Sequence, residues 1–238
     1  MARGLLALAF LACLSSSAVP QAAEFHRLTH HGQVLEYALI LPDRFDKTIS
    51  YPVLLALPPG DQSKPLVMAG LHLYWEAQAK KRGWVVISPA APEGTNFYSG
   101  AESELTNLLD EVSKSVAFEG GKVHLAGVSN GGLSAYRVIT EYPARFLSLT
   151  VLPGVPPDER AFHALGSLKG IPVAAFVGGE NAGWLRGSQD TKQKLNDLGI
   201  ENTLEVVAGA GHVIPLDPVK LFDLLDQRRP KNVGLNAR

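Results

Sequence analysis

Short apolar runs recur along the chain and alternate with stretches of helical periodicity. Alternating apolar positions predict one strand over residues 33–42. Continuous apolar runs predict further strands over residues 52–57, 84–88, 123–128, 147–152, 171–177 and 203–207. Strands that are apolar on both sides are typical of a parallel sheet whose two faces are covered by helices.

The segments between these runs have the spacing of amphipathic helices. They cover residues 65–82, 102–116, 131–142, 158–168, 185–198 and 215–227. Strands that alternate with helices predict βαβ units and hence a mostly parallel central sheet with helices on both faces. The pattern therefore predicts one α/β domain over residues 24–227 and a polar tail over residues 228–238. The segment 153–170 has room for one helix but not for a large lid domain.

The first 23 residues have the layout of a secretory signal peptide. Arg3 precedes an apolar run over residues 4–14, and small residues follow to position 23. This pattern predicts export, to the periplasm or out of the cell. The apolar run is too short to cross a bilayer core of about 30 Å, so no transmembrane span is expected. Lipid anchoring through Cys13, the only cysteine, is an alternative.

Charge and composition exclude several classes of function. The chain has 22 basic and 23 acidic residues and a formal net charge of −1, so nucleic-acid binding is not expected. Cleavage after Cys13 leaves no thiol for a disulfide or a thiolate metal site. The adjacent pair His30 and His31 has no acidic partners nearby in the sequence, so neither a metal nor another cofactor is predicted.

The strongest local pattern is Gly-x-Ser-x-Gly at Gly127, Ser129 and Gly131. It follows a predicted strand and precedes a predicted helix, which is the context of a nucleophile elbow. A sharp turn there exposes the Ser129 hydroxyl, and glycine is needed where a Cβ would collide with a neighbouring element. The amide of Asn130, at the start of the helix, is predicted to contribute to an oxyanion hole.

A serine nucleophile needs a base, and His212 lies in the loop after the last predicted strand. An acid that orients this histidine is expected after the strand 171–177. Glu180 is the first choice in that loop. Asn181 is the second, because it would hold the histidine tautomer but not offset its charge, and Asp190 is the third.

The second oxyanion donor is expected in the loop after the strand 52–57. Pro58 and Pro59 have no N–H to donate, so the prediction falls on Gly60. Aromatic residues in the predicted active-site loops are candidates for substrate binding. These candidates are Trp184, Tyr98 and Trp75.

With these residues, the chain resembles α/β-hydrolases close to the polyhydroxybutyrate depolymerases and feruloyl esterases. The resemblance is sharpest over residues 127–137, where Ser129-Asn130-Gly-Gly is followed by Tyr136-Arg137. It implies an α/β-hydrolase fold and a serine esterase that acts through an acyl-enzyme. The short segment 153–170 predicts an open site, which suits small soluble esters or the chain ends of larger molecules. The chain departs from the family pattern at Pro58-Pro59 and in lacking an aspartate as the acid. A serine peptidase of the same fold and a non-catalytic binding protein remain alternatives.

Overall fold

One large sheet runs through the fold and carries the candidate site at one of its ends. The structure is a computed structural model, and it describes residues 24–30 and 32–230. Its strands are β1 (Phe25–His30), β2 (Gln33–Ile40), β3 (Ser50–Tyr51), β4 (Val53–Leu57), β5 (Val85–Pro89), β6 (Ala117–Phe118), β7 (Val123–Gly127), β8 (Phe146–Val151), β9 (Val173–Gly178) and β10 (Asn202–Val207).

The large sheet has the strand order β1-β2-β5-β4-β7-β8-β9-β10. The strand β2 is antiparallel to β1 and β5, and every other neighbouring pair in this sheet is parallel. The strands β3 and β6 form a separate two-stranded ladder. The predicted mostly parallel sheet is therefore confirmed, and its sequential β–α connections place the loops after β4, β7, β9 and β10 at one edge.

Helices cover both faces of this sheet. They are α1 (Lys64–Gly70), a π-helical turn (Leu71–Trp75), α2 (Glu76–Arg82), α3 (Glu102–Val112), α4 (Asn130–Glu141), α5 (Glu159–His163), α6 (Ala182–Asp197) and α7 (Pro218–Gln227). Alternate side chains of β4 pack into two hydrophobic cores, one on each face of the sheet. Leu55 and Leu57 pack with α3 and α4, whereas Leu54 and Ala56 pack with α1 and α7. The continuous apolar runs follow from this two-sided burial.

The structure differs from the sequence-based prediction at several elements. The edge strand β1 was not predicted, because its sequence Phe-His-Arg-Leu-Thr-His is mostly polar. The predicted helix 158–168 is one short α-helix followed by a 3₁₀ turn, and the predicted helix 215–227 begins only at Pro218, after its cap Asp217. No lid domain follows β8, as predicted.

The polar tail is attached to the domain at its first residues. Arg228 donates to the carbonyl of Leu149 over 3.2 Å, and Arg229 makes two hydrogen bonds with the carboxylate of Glu119. The predicted tail over residues 228–238 therefore begins as part of the fold. The predicted signal peptide over residues 1–23, which includes Cys13, lies outside the described residues, as do His31 and residues 231–238. No helix that the structure describes has the length and apolar character to cross a membrane.

His124 on β7 is a buried polar residue that the core holds in its neutral form. It is fully buried, its Nδ1 lies 2.8 Å from Ser148 Oγ, and its ring packs against that of Trp84. Burial lowers the pKa of His124 to about 4, and the positive charges of Arg228 and Arg229 act in the same direction. The folded state therefore resists protonation of this ring, whereas the unfolded chain does not.

We predict that His124 makes the protein sensitive to acid. Its stabilising contribution is complete above the unfolded pKa of 6.5 and is lost as the pH falls towards 4. Relative to His124→Gln, the parent should lose about 3 kcal/mol of unfolding free energy between pH 7 and pH 4. Urea unfolding at both pH values measures this difference. His163→Gln, at an exposed histidine, is the control, and an equal acid loss in the parent and in His124→Gln would contradict the prediction.

Candidate active site

Ser129 lies on the sharp turn between β7 and α4. Its backbone is in a region that non-glycine residues rarely adopt, with φ 56° and ψ −118°. Its N–H donates to the carbonyl of Pro153 over 3.0 Å, which helps to hold this conformation. A strained conformation of this kind costs on the order of 1–3 kcal/mol and persists because the surrounding elements impose it. The predicted elbow geometry is present.

Glycines around Ser129 allow three backbones to meet. A Cβ on Gly127 would lie 2.1 Å from the carbonyl oxygen of Gly131, and one on Gly131 would lie 2.2 Å from that of Leu57. A Cβ on Gly132 would lie 2.3 Å from the carbonyl oxygen of Pro153. No side chain fits at these distances. The glycines therefore let α4 start directly against the ends of β4, β7 and β8.

The side chains of Ser129 and His212 are in direct contact. Ser129 Oγ lies 2.7 Å from His212 Nε2, and His212 itself is exposed in the loop after β10. This loop rests on the end of β9, where a Cβ on Gly178 would lie 1.9 Å from the carbonyl oxygen of Gly211. On its other side, the buried hydroxyl of Tyr74 donates to the carbonyl of Ile214 over 3.0 Å. The tether through Tyr74 was not anticipated from the sequence.

Asn181, and not Glu180, is the residue behind His212. The side-chain amide of Asn181 lies 2.9 Å from His212 Nδ1. Glu180 uses its backbone N–H to bond the carbonyl of Ala210, and its side chain is exposed. Asp190 is exposed within α6. The structure therefore does not bring the first choice, Glu180, to the histidine, because the turn after β9 directs residue 181 towards the ring and residue 180 towards solvent.

The amide nitrogen of Asn181 faces Nδ1 of His212 as placed, and a neutral amide can pair with either tautomer of the histidine. For Nε2 of His212 to accept the Ser129 proton, the ring hydrogen must be on Nδ1. The Asn181 side chain then presents its oxygen as the acceptor, since rotation by 180° about its terminal torsion exchanges the oxygen and the nitrogen. An amide orients the ring in this way but adds no negative charge to stabilise an imidazolium.

Two backbone amides are candidates for the oxyanion hole: that of Asn130, the next residue after Ser129, and that of Gly60 in the loop after β4. Among the described residues, neither the Gly60 N–H nor the Asn130 N–H donates to another group. The Asn130 side chain donates to the carbonyl of Gly60 over 2.8 Å and so joins the start of α4 to the loop after β4. Gly60 has φ +60°, a conformation that favours glycine. This arrangement is suited to a developing oxyanion.

A groove of about 710 Å³ begins at these two residues. Its lining includes the acidic residues Asp61 and Glu93 and the amide of Asn96. The hydroxyl and amide of Ser63 hold the pKa of Asp61 below its usual range, so this carboxyl is ionised at neutral pH. The groove is open to solvent and has both polar and apolar groups in its lining, which includes Gly60 and Asn130.

The three aromatic candidates have different positions. Trp184 is half-buried, and its ring centroid lies 5.5 Å from that of His212. Tyr98 is half-buried, and its carbonyl accepts a hydrogen bond from Arg137. Trp75 is 2% exposed and packs edge-on against Phe222 in the core. The expectation that Trp75 contacts substrate was wrong, because its helix turns it away from solvent.

The described residues contain no group of three His, Cys, Asp or Glu side chains placed to hold a metal ion. His30, one member of the histidine pair, lies on β1, with Nδ1 3.0 Å from the side-chain nitrogen of Asn107.

Solved structures of hydrolytic enzymes share this architecture. One is a thermostable esterase, with a TM-score of 0.71 and 13% identity over 88% of this chain and 64% of that one. A ferulic acid esterase has a TM-score of 0.66 and 16% identity over 87% of this chain and 97% of that one. Dipeptidyl peptidase 4 of Porphyromonas gingivalis has a TM-score of 0.69 and 14% identity over 87% of this chain and 35% of that one.

The likeness to these structures shows that the chain has the α/β-hydrolase fold, as predicted. The chain spans 64% of the thermostable esterase and about a third of the peptidase. No family model matches the chain, and no curated protein sequence matches it.

We predict that Gly131→Ala destabilises the fold by about 1–3 kcal/mol, because its methyl group would collide with the backbone of Leu57 and Pro58. The control is Gly183→Ala in α6, where no atom lies within 4 Å of the added Cβ and alanine favours the helix. Urea unfolding of both variants measures the difference. Equal stability of the two variants would contradict the close contact at Gly131.

Proposed function

We propose that this protein is a serine hydrolase that cleaves carboxylic esters through an acyl-enzyme. The observation that carries the proposal is the 2.7 Å contact between Ser129 Oγ and His212 Nε2, beside two free backbone amides. The proposal assigns the nucleophile to Ser129, the base to His212 and the oxyanion hole to the amides of Gly60 and Asn130. It requires no metal and no cofactor.

The reaction follows from these positions. Ser129 Oγ attacks the ester carbonyl while His212 Nε2 takes its proton, and the two amides bind the negative oxygen of the tetrahedral intermediate. His212 then donates that proton to the leaving alcohol. A water molecule attacks the acyl-enzyme, His212 takes its proton, and the acid is released as Ser129 regains its hydrogen. The sum is ester plus water to acid plus alcohol.

The surroundings of Ser129 support small soluble esters or chain ends as substrates. The leaving alcohol must lie near His212 Nε2, and Trp184 offers an apolar surface on that side. The acyl part then extends away from His212, towards the open groove at Gly60 and Asn130. The segment between β8 and β9 forms no lid over the site, so the site suits soluble esters better than long-chain lipids, which a lid would enclose. Export by the N-terminal segment is part of the same proposal.

A serine peptidase is the second candidate, and the likeness to the Porphyromonas gingivalis dipeptidyl peptidase 4 favours it. The same groups would attack an amide bond. An amine is a poorer leaving group than an alcohol, so peptide cleavage depends more on a strongly stabilised imidazolium. The neutral Asn181 behind His212 therefore favours the ester over the amide.

We predict that p-nitrophenyl esters of acetate, butyrate and octanoate are turned over by the parent and not by Ser129→Ala. Removal of the nucleophile should lower kcat by a factor of about 10⁴ or more, with little change in folding. Release of p-nitrophenol measures the rate, and a fluorophosphonate probe should label only the parent. Peptide p-nitroanilides in the same panel test the peptidase. Equal ester turnover in both proteins, or none in the parent, would refute the proposal.

We predict that Asn181→Asp increases the activity, because a carboxylate would stabilise the imidazolium formed during attack. The expected gain in kcat is about ten-fold or more. The carboxylate also favours the protonated ring, so the acid limb of the pH–rate profile should move to higher pH.

Two further variants test the residue assignment. Asn181→Ala should lower kcat, since the ring loses its orienting partner, and Glu180→Gln should leave kcat near the parent value. A strong loss of kcat in Glu180→Gln with no loss of kcat in Asn181→Ala would assign the orienting of His212 to Glu180.

A further inference from the structure

Gln62 is fully buried just after the loop that carries Gly60, and its backbone is in the left-handed region with φ 60°. Glutamine rarely adopts this conformation, and glycine or asparagine is the usual choice. A conformation of this cost persists only where the surrounding contacts impose it. The contacts made by this one side chain are therefore informative.

The side-chain amide of Gln62 joins three segments of the chain. Its Oε1 accepts from the N–H of Phe97 over 2.9 Å. Its Nε2 donates to Ser134 Oγ over 2.9 Å and to the carbonyl of Pro58 over 3.3 Å. Both polar atoms are thus satisfied, as a buried amide requires. The loop after β4, the helix α4 and the segment around Phe97 meet at this residue.

These bonds close a ring around the two free amides. From Gln62 the path runs to Ser134 Oγ, which donates to the carbonyl of Asn130 over 3.0 Å. The Asn130 side chain then donates to the carbonyl of Gly60, two residues before Gln62. The distance between the Gly60 and Asn130 amides is therefore held by a hydrogen-bonded ring that includes Gln62.

From this ring we infer that Gln62 is a positioning residue for catalysis: its side chain sets the placement of the Gly60 amide relative to the Asn130 amide. The inference rests on the proposed function. Donors for a developing oxyanion act only when they are fixed before the reaction, and a misplacement of about 1 Å costs about 100-fold in rate. Gln62 does not touch the substrate and acts through the loop.

The test is Gln62→Met, which keeps the length and the unbranched Cβ and removes the hydrogen bonds. The control is Ser148→Ala, which breaks the buried bond to His124 on β7. With p-nitrophenyl acetate, Gln62→Met should lower kcat by about 10- to 100-fold with little change in KM. Its affinity for a trifluoromethyl ketone, whose adduct places an oxyanion in the hole, should fall by the same factor. Ser148→Ala should lose stability without either effect.

A second variant covers the case in which Gln62→Met does not fold. Ser134→Ala opens the same ring at one bond and should lower kcat and ketone affinity in parallel, by a smaller factor. Where all variants fold, the double variant Gln62→Met/Ser134→Ala should have a kcat within about two-fold of that of Gln62→Met. The two effects should not add, because both changes break the same ring.

Each outcome of this experiment is decisive. An active parent with unchanged kcat and ketone affinity in the folded variants would overturn the role of Gln62 alone. A kcat loss in both Gln62→Met and Ser134→Ala that is matched by an equal loss of titratable active sites, so that the rate per active site is unchanged, would overturn it too. A parent without ester turnover would overturn the proposed function, and this inference with it.

Discussion

The contact between Gly131 and the backbone of Leu57 is the constraint on which the candidate site depends. A Cβ at position 131 would lie 2.2 Å from the Leu57 carbonyl oxygen, so only glycine lets α4 begin against the end of β4. Because the helix starts there, the turn before it has no room for a relaxed conformation, and Ser129 takes φ 56°. The same contact brings the loop that carries Gly60 to the start of α4. Ser129 and the two free amides are thus placed by one close approach of backbones.

His212 is placed by a second close approach, at the neighbouring strands. The loop of His212 rests on the end of β9, since a Cβ on Gly178 would lie 1.9 Å from the Gly211 carbonyl oxygen. That contact also fixes the turn after β9, whose backbone bonds to the carbonyl of Ala210 and directs Asn181 towards the ring. Tyr74 holds the loop from the other side. The position of His212 and the identity of its neighbour are therefore consequences of the same packing.

The sequence predicts those parts of the site that depend on local pattern and chain order. Ser129 lies in a strand–turn–helix motif, and His212 follows the last strand of an alternating α/β pattern, so local pattern predicts both, and the structure brings their side chains together. The choice between Glu180 and Asn181 depends on which way a turn directs consecutive side chains, and composition carries no such information. Trp75 was assigned to the site for a similar reason, since its exposure depends on the face that its helix presents. The network of Gln62 spans residues 58–134 and has no local signature.

Neutral groups do most of the positioning in this site. His212 contacts the amide of Asn181, and the two proposed oxyanion donors are held by the side-chain amides of Asn130 and Gln62. Hydrogen bonds between neutral groups depend on geometry and little on ionic strength, whereas screening weakens exposed ion pairs. Such a site orders its groups before the substrate arrives but lacks a fixed charge to balance the imidazolium. In the proposed reaction, the missing charge affects the transition state, in which the ring becomes protonated, and not the ground state. A substrate with a good leaving group depends least on a negative charge that stabilises the imidazolium. For this reason the proposed site suits an activated or simple ester better than a peptide bond.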